Sequence, residues 1–164
     1  MENAKYPQRK SPRADFHDYS GGDYFVTICT RDKRHFFGEI YGEEMKLTPI
    51  GVYCRQQIET LSNHYPHVEI PMYVVMSNHV HMVVCVDGRR THEPCVPTKR
   101  SALSVVIGGL KRSVTLYARK HNMEFGWQGR YHDHIIRNTR DGNNIAEYID
   151  NNVVKWNSDC FYTS

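Results

Sequence analysis

The alternation of apolar and polar positions divides the chain into a short series of elements. Tyr24 to Thr30 is rich in β-branched and aromatic residues and predicts a strand. Between Phe36 and Leu47, short apolar groups alternate around Tyr41-Gly42, which predicts a small hairpin. Thr48-Pro49 predicts a helix start, with Thr48 as N-cap and Pro49 in the first turn. Val52, Ile58 and Leu61 carry the apolar side of that helix to about Asn63. Val68 to Met76 and His79 to Val86 read as two core strands around a Ser77-Asn78 turn. From Ser101 to His121 the helical period returns, with Leu103, Val106, Ile107, Leu110, Val114 and Tyr117 on one stripe. Gly108-Gly109 weakens this helix by roughly 1 kcal/mol per glycine and suggests close approach of another backbone. His132 to Arg137 is a short extended piece. Asn138 or Thr139 then caps a last helix that runs on toward Trp156, with Ile145, Tyr148, Ile149, Asn152, Val153 and Trp156 facing inward.

Leaving the small hairpin aside, the order is strand, helix, strand, strand, helix, strand, helix. That order predicts an α+β fold: a ferredoxin-like split βαβ antiparallel sheet with helices on one face and an extra C-terminal helix bearing Tyr148. Residues 1–22 lack periodicity and read as a basic N-terminal arm, and 23–164 as a single domain. The strongly apolar strand His79 to Val86 belongs either at the centre of the sheet or at a dimerising edge.

Two polar pairs interrupt the apolar pattern. His79 and His81 lie two residues apart in a strand, so both imidazoles leave the same side of the sheet, close enough to grip one metal ion. A polar pair in so apolar a run needs a reason, because burying an unpaired polar group costs roughly 1–3 kcal/mol. Tyr148 and Asn152 are four apart, which on a helix puts a phenol and an amide on one face. Together they suggest a metal-assisted tyrosine nucleophile. Taken singly, each has a plainer reading: two satisfied histidines, one core tyrosine among eleven, and a helix C-terminal asparagine.

Composition changes this picture little, but charge distribution adds to it. No apolar stretch reaches the roughly 18 residues of a membrane span, and the first residues lack the apolar core of a signal peptide, so cytoplasmic residence is the expectation. The five cysteines are scattered without a Cys-x-x-Cys, which argues against a zinc ribbon or a disulfide framework. The net charge of +3 is modest. Lys99, Arg100, Lys111, Arg112, Arg119 and Lys120 nevertheless form a stretch without a single carboxylate, and Arg9, Lys10 and Arg13 crowd the arm. Such one-signed stretches suit a phosphate backbone, although a solvated helix face explains the charge equally well.

The motifs taken together are more specific than any one of them. Tyr24-Phe-Val-Thr-Ile-Cys-Thr30, Phe37-Gly-Glu-Ile40, Val74-Val-Met-Ser-Asn-His-Val-His81, Trp127-Gln128, His134-Ile-Ile-Arg-Asn138 and Glu147-Tyr-Ile-Asp-Asn-Asn152 resemble the single-tyrosine transposases of the His-hydrophobic-His class. The resemblance is greatest to the REP-associated branch and runs from about Ser11 to Trp156. It implies that His79, His81 and Asn152 hold a divalent metal, Mg²⁺ or Mn²⁺, and that Tyr148 is the nucleophile. It further implies cleavage and rejoining of single-stranded DNA through a 5′-phosphotyrosine. The substrate is expected to be hairpin-forming, and the protein a monomer or homodimer. Candidate DNA contacts are Arg9, Lys10, Arg13, Lys99, Arg100, Lys111, Arg112, Arg130, His134 and Arg137. One departure stands out: relatives commonly have proline after the ligand asparagine, whereas Val153 follows here. The competing expectations are a non-catalytic single-strand-binding module derived from such an enzyme, and a metal-dependent nuclease that uses water.

Overall fold

The computed structural model describes residues 21–88 and 101–163. Arg9, Lys10, Arg13, Lys99 and Arg100 lie outside the described residues.

Four strands form the main sheet: β1 (Gly22–Cys29), β4 (Val68–Val75), β5 (His79–Val86) and β6 (His132–Ile135). Their spatial order is β4-β5-β1-β6, and the β1–β5, β1–β6 and β4–β5 pairs are all antiparallel. This is the split βαβ arrangement, in which β5 inserts between β1 and β4. β5 is therefore central and offers no free edge, which removes the dimerising-edge alternative. The remaining strands, β2 (Gly38–Tyr41) and β3 (Glu44–Leu47), make a separate hairpin that turns through Gly42 at φ +64°.

The strand period sorts the sheet into two faces. Tyr24, Val26 and Ile28 of β1 and Val80, Met82, Val84 and Val86 of β5 point one way. They meet α1 (Pro49–Glu59) through Ile50, Cys54 and Ile58, and α3 (Ala102–Lys120) through Leu103, Val106, Ile107, Leu110 and Val114. Thr48 caps α1 by accepting from the Gly51 amide at 3.2 Å, and Ser101 caps α3 by accepting from Ser104 at 3.2 Å. Each cap satisfies an amide that the first helical turn leaves open. The helix expected to run to Asn63 breaks at Thr60, whose φ of −103° and ψ of 3° are not helical; a further turn, α2 (Leu61–His64), follows. Gly109 makes room for the Tyr65 side chain rather than for a second backbone, while Gly108 faces open space.

The last helix, α4 (Thr139–Asp150), is capped by Asn138, which accepts from the Asp141 amide at 2.9 Å. It lies against the other face of the sheet, where Tyr148 meets the Phe25 and His81 rings. α4 stops at Asp150 instead of running on toward Trp156. Asn152 therefore sits in the turn after the helix, and the chain then makes a short 3-10 turn at Trp156–Ser158. Residues 159–163 continue as a tail across the same face. Among the described residues, no helix is long and apolar enough to cross a membrane.

Candidate metal and tyrosine site

The site grows from the residues of β1 and β5 that face away from the apolar core. His79 and His81 stand side by side on that face, with ring centroids 4.4 Å apart, and are 0% and 1% exposed. Two neighbours fix their orientation. Asn78 gives both its amide hydrogens to carbonyls, Lys33 O at 3.2 Å and Phe161 O at 2.9 Å. Its Oδ1 is thereby turned to His79 Nδ1 at 2.8 Å, and since that oxygen can only accept, the proton is on Nδ1. The lone pair of His79 is then on Nε2. His81 Nδ1 meets the Thr27 hydroxyl at 2.8 Å, across the register that places Thr27 opposite His81. A second partner that fixes the ring and its tautomer is the usual support of a metal-binding histidine.

The electrostatics keep both rings neutral. Burial lowers the His79 pKa to about 4, against an opposing pull from Asp159. Burial, followed by the neighbouring His79, lowers that of His81 to about 3. Neutral imidazoles at neutral pH are the form that binds a cation.

The helix and tail bring up the remaining groups. Tyr148 Oη lies 3.3 Å from His81 Nε2 in the same chain and donates to Asp159 Oδ2 at 2.8 Å. Asn152, 2% exposed, donates through Nδ2 to the same Asp159 oxygen at 2.9 Å. Among the described residues of the site, two buried side-chain atoms have no hydrogen-bond partner: His79 Nε2 and Asn152 Oδ1. Leaving such atoms unmet is costly, so their presence beside one another calls for an explanation. Ligand atoms of His79, His81 and Asp159 all lie within 4.8 Å of one another, a spacing that suits a shared cation.

Burial, then the hydrogen bond to Asp159, raises the proton affinity of the Tyr148 phenol well above that of a free tyrosine. Burial alone would raise the Asp159 pKa too, but the Phe161 amide, the Tyr148 hydroxyl, His79 and the Asn152 amide outweigh it and the net shift is downward.

Phe161 closes the top, its ring centroid 4.6 Å from His79 and 5.6 Å from His81. Trp156 lies 6.0 Å from His79. Lys33, held at φ +53° in a turn with Asp32 at φ +55°, extends its ammonium to 5.7 Å from the Phe161 ring. The open side is a cavity of about 280 Å³, lined in part by Tyr148, Asn152, Lys155 and Asp159.

The structure thus brings together His79, His81, Tyr148 and Asn152, the four residues singled out from the sequence. Of the described basic candidates, His134 shares the site's face of the sheet, opposite Phe25 in the β1–β6 register, whereas Lys111 and Arg112 do not. Lys111 and Arg112 are on α3, which covers the opposite face, and the Lys111 ammonium donates to the Gln128 carbonyl at 2.6 Å. His134 is turned to Asp141 at 2.8 Å, and the Arg137 amide reaches the same carboxylate at 3.4 Å. Arg130 lies exposed just before β6. Three contributors escaped the sequence reading: Asn78, Thr27 and Asp159. Asn78 adjoins His79 in a motif already noticed, and adjacency was its signal. Asp159 had none, because only the fold of the tail carries it to the sheet.

No family model matches the chain. A solved structure of a REP-associated tyrosine transposase bound to a REP hairpin superposes with a TM-score of 0.60. That match covers 88% of this chain and 74% of the transposase at 24% identity. A candidate transposase from Deinococcus radiodurans R1 superposes with a TM-score of 0.50, covering 85% of this chain and 95% of that one at 13% identity. The fold is therefore that of the REP-associated tyrosine transposases. In sequence, an uncharacterised protein of Haemophilus influenzae (strain ATCC 51907 / DSM 11121 / KW20 / Rd) is 33% identical over 173 residues, covering 98% of this chain and 96% of that protein. The chain belongs to one family with that Haemophilus influenzae protein.

Proposed function

We propose that this protein is a transposase acting on single-stranded DNA, which cuts and rejoins a strand through a covalent bond to Tyr148. The observation that carries the reading is the meeting of the Tyr148 hydroxyl with His81 Nε2 at 3.3 Å, beside the partnerless His79 Nε2 and Asn152 Oδ1. A divalent cation fits those atoms: the amide oxygen is a hard donor suited to Mg²⁺ or Mn²⁺, the two imidazole nitrogens are borderline donors that match Mn²⁺ better than Mg²⁺, and binding would satisfy both orphans. When bound, such an ion supplies positive charge that polarises a phosphodiester and offsets the charge developing on it.

The chain's own residues do the rest. Asn78 and Thr27 hold the two imidazoles in place. The Tyr148 proton, directed at Asp159 Oδ2 at rest, is lost to water in the open cavity as the phenol oxygen attacks phosphorus, and the departing O3′ takes a proton from water. The bond formed is Oη–P and the bond broken is P–O3′, which leaves a 5′-phosphotyrosine and a free 3′-hydroxyl. The phosphodiester energy is retained in the tyrosine ester, so reversal by another 3′-hydroxyl rejoins a strand without ATP. Tyr148 is 39% exposed, and its cavity opens to solvent, which gives a strand a route to the phenol. A hairpin-forming substrate accords with the REP hairpin bound by the transposase of like fold. Arg130, His134 and Arg137 belong to the segment around β6 at the rim of the sheet and are proposed contacts for its backbone. Lys111 and Arg112, on the far face, would require the strand to wrap around the sheet. Arg9, Lys10, Arg13, Lys99 and Arg100 keep their proposed role as phosphate contacts on the ground of charge alone.

One observation favours a second reading. Both imidazoles are almost fully buried beneath Phe161, which would keep a scissile phosphate away from a cation held there and leave strand binding without cutting. Incubation with labelled single-stranded DNA and Mn²⁺, followed by a denaturing gel, separates the outcomes. A DNA-linked protein band supports the transposase. Cleavage without that band supports a nuclease using water, and intact DNA supports the binding module.

A further inference from the structure

We propose that Asp159, carried in by the C-terminal tail, is a fourth protein ligand of the cation held by His79, His81 and Asn152, so that seating the tail and binding the metal are one event. The inference rests on the metal reading above. It adds a ligand that comes neither from the histidine strand nor from the tyrosine helix.

Three observations carry it. The first is position: an Asp159 carboxylate oxygen is within 4.8 Å of a ligand nitrogen on each histidine, and Oδ2 lies 2.9 Å from the Asn152 amide. The second is the state of the surrounding atoms. His79 Nε2 and Asn152 Oδ1 are buried without partners, so the side chains enclosing this space present unsatisfied acceptors to it. These two atoms and His81 Nε2, with a carboxylate oxygen among them, form a donor set with a single net negative charge, which suits a divalent cation better than water. The third is that the carboxylate is held from outside the site. Phe161 N–H donates to Asp159 Oδ1 at 2.7 Å, and Phe161 O accepts from Asn78 at 2.9 Å. Further along, Thr163 Oγ1 meets His35 Nε2 at 2.8 Å. The tail is thus tied to the same Asn78 that orients His79. A ligand on the tail would couple metal affinity to tail order, because a cation that binds only the seated form stabilises it.

The test is Mn²⁺ titration by calorimetry on the full chain, wild type against Asp159→Asn and Asp159→Ala. Tail order is followed in parallel by amide exchange of residues 156–163. Asp159→Asn keeps an oxygen for the Phe161 amide, so it separates loss of the carboxylate from loss of the tail's fold. Each variant is expected to weaken Mn²⁺ binding by at least about tenfold. Wild type alone is expected to show slower exchange in residues 156–163 when Mn²⁺ is added. Mn²⁺ affinity within twofold of wild type in both variants overturns the proposal. If wild type itself binds no Mn²⁺, the metal reading fails and this inference with it. If His81→Ala abolishes binding while both Asp159 variants retain it, the metal reading stands and only the fourth ligand falls.

Discussion

On one face of the sheet, Val26, Ile28, Met82 and Val84 meet α1 and α3 in an apolar layer. On the other, the same two strands present Thr27, His79 and His81 to a tyrosine, an asparagine and an aspartate. The first face is built for stability. Its side chains are satisfied by contact alone, and truncating one leaves a cavity. The second face holds polar atoms that its own neighbours leave unsatisfied, an arrangement that persists only where the rest of the fold supplies the missing stability. The chain therefore separates folding from chemistry by strand parity, and substitutions should separate along the same line.

The largest effect should come from the polar face. Tyr148→Phe removes one hydroxyl and keeps the ring against Phe25, so covalent adduct on a denaturing gel should fall by on the order of 10⁴-fold or more. Mobility-shift binding of the same DNA should stay within a few-fold. Persistence of the adduct would pass the nucleophile to another tyrosine, Tyr131 first. Because Tyr148 and His81 meet within one chain, mixing His81→Ala protein with Tyr148→Phe protein should restore no cleavage. Recovery would mean that the helix is donated between chains.

A direct contrast between the faces comes next. Leu110→Ala on the apolar face should cost about 2–5 kcal/mol in urea unfolding, as for other buried leucines. His81→Ala, measured with chelator present, removes a buried ring and its hydrogen bond to Thr27 but also an imidazole that burial disfavours, so it should cost less than Leu110→Ala, about 1–3 kcal/mol. Equal losses from the two substitutions would mean that the imidazole face is structural core after all.

A pH dependence sharpens the same point. Burial depresses the folded pKa of His79 to about 4 and of His81 to about 3, whereas an unfolded histidine titrates near 6.5. Below about 6.5 the unfolded chain binds protons that the folded chain refuses, so metal-free stability should fall as pH falls from about 6.5 toward 4. Above 7 these residues should contribute no slope. His79→Ala should flatten the acid limb, and an unchanged limb would assign it to other groups.

The smallest effect lies in α3. Gly108 faces open space, so Gly108→Ala should stabilise by about 1 kcal/mol. At Gly109 an added methyl runs into the Tyr65 hydroxyl, so Gly109→Ala should gain less or lose stability. Thermal melts of the two variants compare them directly.

What could be read from the sequence follows the same division. The alternation in β1 and β5 and the stripe on α3 were legible because each records burial against a neighbouring layer, and burial leaves a period. His79, His81 and Tyr148 were visible as exceptions to those periods. The break at Thr60 and the end of α4 at Asp150 were not, since helix ends depend on local backbone choices that many residues tolerate. Spacing puts Asn152 on the tyrosine helix, yet the side chain reaches the site from the turn beyond it. Asp159 was invisible for a stronger reason. Its role depends on where a tail folds back, a long-range event that no local pattern encodes.

The register of β1 against β5 carries one more consequence. Val80, Met82, Val84 and Val86 never touch the site, yet they set the phase of the strand that holds it. A slip of one residue would turn both imidazoles into the apolar layer and four aliphatic side chains out of it. Such a chain would lose its core and its site together. The greasy side of β5 therefore acts as an inspector during folding: no molecule passes into the native state with its histidines misaligned, and errors in the chemistry are rejected as errors in assembly.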